Sequence, residues 1–282
     1  MCIRDSHRDV VYWKQAEYKR GSKMRTIKKI IKKTIGVLFL VLLIIGGVIG
    51  YKGYERYKEV LEKVPLQEKI AEIRQKPSYT EIEDLPQIYL DAVVAVEDKR
   101  FYHHPGIAPI SIARAVRNDI RARALIEGGS TITQQLAKNL YFGQEQSLNR
   151  KVAEGMLALK LEWNYTKEEI LELYVNSIYF GDGYYCVEEA SYGYFGKPPS
   201  EMTAYESTML AGIPNAPSAY APTVSMELAE ERQKKVLESM VREKYLTEEE
   251  ALEIQNSKVS FCIDDEPKSG LARDLGDCLQ SR

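Results

Sequence analysis

Three short runs of this chain hold side chains whose types and spacing could do chemistry. Residues 128–139 read Gly-Gly-Ser-Thr-Ile-Thr-Gln-Gln-Leu-Ala-Lys-Asn. Two glycines free the backbone, and Ser130 or Thr131 can then cap a new helix. Gln134 stands three residues after Thr131, which is capping-box spacing. A helix start aims backbone N–H groups and a partial positive charge at one point. One turn on, Gln134, Gln135, Lys138 and Asn139 supply amide and ammonium donors, a set suited to an anionic, sugar-bearing ligand. An ordinary helix start with a polar outer face would read the same way.

The second run is Glu97-Asp98, followed by Lys99, Arg100, Phe101, His103, His104, Pro105 and Gly106. A carboxylate closing an apolar helix before an aromatic and a Pro-Gly turn faces the edge of a cavity. Partial burial there raises its pKa toward the range useful for a general base. A solvated helix end with a local ion pair is the competing reading. The third run is Arg150-Lys151-x-x-Glu154, whose three charges share one helix face. A plain i,i+4 ion pair accounts for the spacing, but the surrounding helix is rich in Leu, Met and Ala, so a charge cluster on it needs a reason. Between these runs, Ile107 to Ile126 mixes apolar residues with Arg114, Arg117, Arg121 and Arg123. That pattern fits a membrane surface, a phosphate contact or a solvated surface helix.

These runs must be carried by a scaffold, and 282 residues allow one large domain or two small ones. With 39 basic and 41 acidic side chains the charge is balanced, so no nucleic-acid partner is expected. Four cysteines without tight spacing and three histidines make neither a disulfide framework nor a His-based metal site. Thr34 to Tyr51 carries no charge, and its 18 residues reach roughly 27 Å as a helix, about a hydrocarbon core. Lys23, Arg25, Lys28, Lys29, Lys32 and Lys33 precede it. The expectation is an uncleaved, single-pass signal anchor with a cytoplasmic N-terminus and everything after Lys52 outside the cell membrane. Residues 1–23 are set aside, because Met-Cys-Ile-Arg-Asp-Ser reads as translated adapter and Met24 is a natural start.

Residues 52–84 read as a stalk, broken by Pro65 and Pro77, and residues 85–260 as a mainly α domain. Asp84 and Pro86 are expected to open its first helix. Thr166 with Glu169, Thr203 with Glu206 and Thr247 with Glu250 repeat the capping-box spacing. Leu148 to Trp163, Ile170 to Ile178 and Leu228 to Tyr245 have helical periodicity. Lys258 to Ile263 alone resembles a strand, and the tail from residue 261 is expected to be loose past Asp264. No Ser-x-x-Lys or Lys-Thr-Gly occurs, so an acyl-transferring domain is not expected within these residues.

Taken together, the runs resemble a known family. Glu97-Asp98-x-x-Phe101-x-x-His104-x-Gly106, the Gly128 to Asn139 run and Arg150-Lys151-x-x-Glu154 look like the first three motifs of the peptidoglycan glycosyltransferases. This is glycosyltransferase family 51, the transglycosylase domain of class A penicillin-binding proteins, here resembling its monofunctional biosynthetic branch. Lys167-x-Glu169-Ile170-Leu171-Glu172-x-Tyr174-x-Asn176 with Tyr179-Phe180-Gly181 resembles the fourth motif. Leu210-Ala211-Gly212-Ile213-Pro214-x-Ala216-Pro217-Ser218-x-Tyr220-x-Pro222 resembles the fifth. One departure is Tyr185-Cys186-Val187-Glu188, where many members have Tyr-Gly-Ile-Glu. Cysteine lacks the φ > 0 freedom of glycine, which puts that backbone in question.

The resemblance implies a lysozyme-like, two-lobed α fold behind an N-terminal transmembrane helix, polymerising lipid II into glycan strands for the cell wall. It maps the catalytic base onto Glu97 and a second essential carboxylate onto Glu154. Substrate contacts fall on Asp98, Phe101, His104, Gly106, Ser130, Thr131, Gln134, Gln135, Lys138, Asn139, Arg150 and Lys151. The segment matching Ile107 to Glu127 is membrane-proximal and mobile in the family. The implied partners are lipid II, the growing lipid-linked strand, the bilayer and other cell-wall synthesis proteins. No cofactor is obligatory, with a divalent cation (Mg or Mn) near Glu154 as the one candidate. Attack of a sugar 4-hydroxyl on a diphosphate-activated anomeric carbon needs a base and charge stabilisation of the leaving group. A muramidase would instead protonate its leaving oxygen. That reading, and a catalytically silent cell-wall scaffold, are the alternatives.

Overall fold

The computed structural model describes residues 4–108, 129–143, 145 and 147–257, with the backbone alone for residues 4–30. The basic stretch up to Ile126, Gly128, the expected strand at Lys258 to Ile263, the tail, Cys2, Cys262 and Cys278 lie outside the described residues. The chain divides into two units, Met1–Gly53 and Tyr54–Arg282. The described residues are helical, with one isolated bridge between Gly181 and Tyr184 and no strand. That agrees with a mainly α fold.

Helix α1 (Arg4–Lys63) carries the uncharged stretch in its part belonging to the first unit, and its last residues, from Tyr54, belong to the second. Its part from Ile31 is long and apolar enough to cross a membrane. Leu38, Phe39 and Leu42 are exposed along it, as a lipid-facing surface requires.

The second unit is built on one hydrophobic core. Helix α2 (Leu66–Arg74) places Leu66, Ile70 and Ile73, spaced i, i+4, i+7, in that core. Residues 66–74 of the expected stalk are therefore packed inside the folded body. Helix α3 (Gln87–Glu97) follows Pro86, which occupies the N-cap without a side-chain bond; Asp84 ends a short 3-10 turn and caps nothing. α3 buries Tyr89, Leu90 and Ala92 to Ala95, so its helical period brings Glu97 to the core's edge. It packs against α8 (Ala204–Gly212) and α10 (Met226–Arg242), and α11 (Glu248–Asn256) covers α10 and α8 through a small cluster of Tyr205, Met209 and Ala229 with Met226 and Ile254.

Helices α4 (Ile132–Tyr141), α5 (Leu148–Asn164) and α6 (Lys167–Val175) form the second packed group. Capping boxes start α4, α6, α8 and α11 at Thr131, Thr166, Thr203 and Thr247, each worth about 1 kcal/mol. α5 keeps one face uncovered: Leu148, Leu159 and Trp163 project from it, Trp163 being 91% exposed. Helix α7 (Val187–Phe195) is capped by Cys186, whose Sγ accepts from Glu189 N at 3.5 Å. Cys186 has φ −156°, an extended conformation open to any residue, so cysteine in place of glycine costs no backbone strain. Helix α9 (Pro217–Tyr220) is a single turn leading into α10.

Candidate active site

A cleft of about 690 Å³ lies between the C-terminal end of α3 with α10 on one side and α4 with α5 on the other. Glu97 ends α3 because Asp98 leaves helical geometry (φ −154°, ψ 75°). Its side chain is 11% exposed. Gln135 Nε2 donates to Glu97 Oε2 at 2.8 Å, and Tyr174 O–H donates to Gln135 Oε1 at 3.2 Å. The Tyr174 bond fixes which end of the Gln135 amide faces Glu97. Burial holds the Tyr174 phenol far above its usual pKa, so it remains a donor. Glu97 Oε1 is buried without a hydrogen-bond partner. Desolvation raises the Glu97 pKa most, the Gln135 bond and then Arg232 pull it down, and Asp98 adds a smaller upward push. A carboxylate with a raised pKa and one free oxygen is equipped to take a proton.

Asp98 points away from that role. Its Oδ2 accepts from His104 Nε2 at 2.8 Å and from Ile132 N, the first amide of α4, at 3.1 Å. His104 Nδ1 accepts from Gly106 N at 3.1 Å, so Nε2 carries the ring proton. Thr131 Oγ1 donates to Gly106 O at 2.6 Å. Gly106 has φ +86°, and a Cβ there would sit 2.8 Å from Glu162 Cγ and 3.0 Å from Ala158 O. The expected donors at this helix start are therefore engaged in part by neighbouring side chains. Asp98 and the Thr131–Gln134 box take the Ile132, Thr131 and Gln134 amides, so three of the N–H groups at the start of α4 are bonded within the protein.

Positive charge for a ligand comes instead from side chains. Lys138 lines the cleft with no ion pair or side-chain hydrogen bond among the described residues. Arg150 Nε and Lys151 Nζ each lie 2.9 Å from an oxygen of Glu154, which is buried, and Lys151 also donates to Ser130 Oγ at 2.7 Å. The Arg150 contact is an ion pair not aligned as a hydrogen bond. These neighbours do not fit a divalent cation: both Glu154 oxygens already face cations, and a metal ion there would meet two positive side chains. Glu154 is placed as the residue that holds the two cations at the cleft wall.

The opposite wall was not foreseen. Arg232, Lys235, Ser239 and Arg242 of α10 line the cleft, as do Lys99, Pro214 and Asn215. Arg232 Nε donates to Gly212 O at 3.2 Å, its guanidinium lies 5.8 Å from the Tyr220 ring, and its Nη2 is 3.7 Å from Glu97 Oε1. The signal is present in the sequence as polar residues at i, i+3, i+7 and i+10 on one face of the helix expected over Leu228 to Tyr245.

Of the residues expected from sequence, Glu97, Asp98, Ser130, Thr131, Gln134, Gln135, Lys138, Arg150, Lys151 and Glu154 line this one cleft. Phe101 is fully buried beneath Lys167, whose Nζ is 4.4 Å from its ring centre, and His104 and Gly106 back the start of α4. Asn139 is exposed and off the cleft wall. In the fourth motif, Glu172 accepts from Tyr79 O–H and Ile82 N, and Asn176 bonds both backbone groups of Thr80. Glu172 of α6 and its C-cap Asn176 thus clamp residues 79–82, and Tyr174 of α6 supports Gln135.

Residues 66–241 match the family model described as Transglycosylase. Penicillin-binding protein 1A of Aquifex aeolicus (strain VF5) is 44% identical over 186 residues, which is 66% of this chain and 26% of that protein. Penicillin-binding protein 1F of Bacillus subtilis (strain 168) is 43% identical over 182 residues, 64% of this chain and 26% of its own. Among solved structures, penicillin-binding protein 1A from Haemophilus influenzae has 25% identity and a TM-score of 0.40, covering 66% of this chain and 18% of that one. The chain spans about a quarter of the length of these two curated relatives. The family model takes in well over half of the chain and every cleft residue described except Arg242, and the chain belongs to the transglycosylase family.

Proposed function

We propose that this chain is a peptidoglycan glycosyltransferase that polymerises lipid II, a disaccharide carried on polyprenyl diphosphate, into β-1,4-linked strands. The observation that carries the reading is Glu97: one oxygen held by Gln135, the other buried and unpartnered, in a cleft walled by cations. Glu97 Oε1 takes the proton of the acceptor 4-hydroxyl as that oxygen bonds to the donor's anomeric carbon. The bond from that carbon to the diphosphate oxygen breaks, and the diphosphate leaves as an anion. Lys138, with Arg150 and Lys151 held by Glu154, meets the departing charge. Attack opposite the leaving group inverts an α-linked donor to a β product.

A muramidase would use a second carboxyl as acid on the leaving oxygen. Glu154 spends both oxygens on Arg150 and Lys151, which supports the transferase over that alternative. α1 serves as a membrane anchor, and the basic run before Thr34 sets the N-terminus in the cytoplasm and the cleft outside. An anchored enzyme meets a bilayer-held substrate at high effective concentration.

The test is polymerisation of lipid II by the full chain in detergent, read on a gel beside Glu97→Gln. Polymer from wild type and none from the variant supports the transferase and its base. Polymer from both removes Glu97 from the role. Wall fragments released from intact sacculi, with no polymer, would replace the reading with a hydrolase, and silence in both assays would favour a scaffold.

A further inference from the structure

The turn from Tyr179 to Tyr185 is held more rigidly than a surface loop requires. Gly181, Asp182 and Gly183 have φ of +94°, +50° and +87° in succession. A left-handed aspartate is uncommon, and it persists when its surroundings fix it. Here Thr223 Oγ1 donates to Asp182, Tyr194 O–H donates to Phe180 O at 2.9 Å, and Phe180 and Tyr184 close the turn with backbone bonds of 2.8 Å. A Cβ on Gly193 would fall 2.1 Å from the Tyr184 ring, so Tyr184 is locked against α7.

This anchored turn presents two rings to solvent. Tyr179 and Tyr185 are 42% and 58% exposed, with ring centres 4.8 Å apart and planes 37° apart. Tyrosines ordered in advance offer large contact area at little entropic cost. Their electron-rich faces suit the slightly positive C–H face of a pyranose.

The turn is also continuous with the cleft. A Cβ on Gly181 would lie 3.3 Å from Pro217 O, and Pro217 is two residues past the cleft-lining Asn215. Two residues span at most about 7 Å. The turn is therefore within a few sugar units of the cleft wall, and a polymer outgrows a cleft of about 690 Å³.

We propose that Tyr179 and Tyr185 form a stacking platform for the glycan strand outside the cleft. This rests on the transferase reading for its ligand. Two arms test it with the full chain in detergent: isothermal titration with soluble peptide-free glycan strands, and product length from lipid II. The Tyr179→Ala/Tyr185→Ala pair is expected to weaken strand binding at least tenfold and to shorten products. Its initial rate should stay within twofold of wild type and its melting temperature unchanged. The Tyr179→Phe/Tyr185→Phe pair, which keeps both rings, should retain wild-type binding and length. Wild-type binding and length in the alanine pair would overturn the platform while leaving the transferase intact. A wild-type protein that makes no polymer would sink the transferase reading instead, and the titration would then decide the platform alone.

Discussion

Arg232 Nη2 stops 3.7 Å from Glu97 Oε1, whereas Gln135 Nε2 reaches Oε2 at 2.8 Å. The first distance is beyond hydrogen-bond range and the second is within it. Arg232 therefore lends charge without hydrogen-bonding the oxygen, and Glu97 Oε1 stays open to the hydroxyl that the proposed mechanism brings to it.

Glu97→Gln should lower kcat by about a hundredfold or more, the usual scale for a lost general base. It should also stabilise the protein. Burial raises the folded pKa of Glu97 above its unfolded value, so the group's stabilising contribution is complete below the ordinary carboxylate range and is lost as pH rises through the raised pKa. The variant's melting temperature should exceed wild type at pH 8, with the gap closing as pH falls below about 4. An equal or lower melting temperature at pH 8 would contradict the buried-carboxylate account.

The acid limb of the pH–rate profile should report the same group. Gln135 and Arg232 both lower the Glu97 pKa, Gln135 more. Gln135→Leu and Arg232→Gln should each move the limb to higher pH, Gln135→Leu further. A limb unmoved in both would show that Glu97 does not set it.

Glu154 and Lys138 should separate stability from binding. Removing the Glu154 carboxylate leaves Arg150 and Lys151 side by side without their anion. Glu154→Ala should cost about 3 kcal/mol in urea unfolding, the low end for a broken buried pair because Lys151 is 43% exposed. Lys138→Ala should change stability by less than about 0.5 kcal/mol yet raise KM for lipid II, the proposed substrate. Equal stability losses in the two variants would remove the distinction.

Gly106→Ala should destabilise by more than about 1 kcal/mol, since a left-handed alanine is strained and its Cβ also meets Glu162 and Ala158. Gly106 supports both His104 and Thr131, so kcat should fall as well. Stability within error of wild type would show that the turn relaxes freely.

Local rules made much of this legible in the sequence. Capping boxes depend on residues three apart, and all four expected boxes formed. The cleft's first wall was legible because its residues sit in contiguous motifs. The second wall was not, because Lys235, Ser239 and Arg242 become a surface only once α10 docks on α3 and α8. Asp98 filling the start of α4 was equally hidden, since the contact spans 34 residues. Leu66, Ile70 and Ile73 had helical spacing, but the charges and prolines around them suggested a stalk, and burial in a distant core decided otherwise.

Trp163 makes the protein its own optical probe. It is one of two tryptophans in the chain, the other being Trp13, and it stands almost fully in water on the uncovered face of α5. An indole in that setting emits at the red end of its range and shifts blue when apolar matter covers it. With Trp13 replaced by phenylalanine, fluorescence follows what settles on that face, be it detergent or lipid, without any added label.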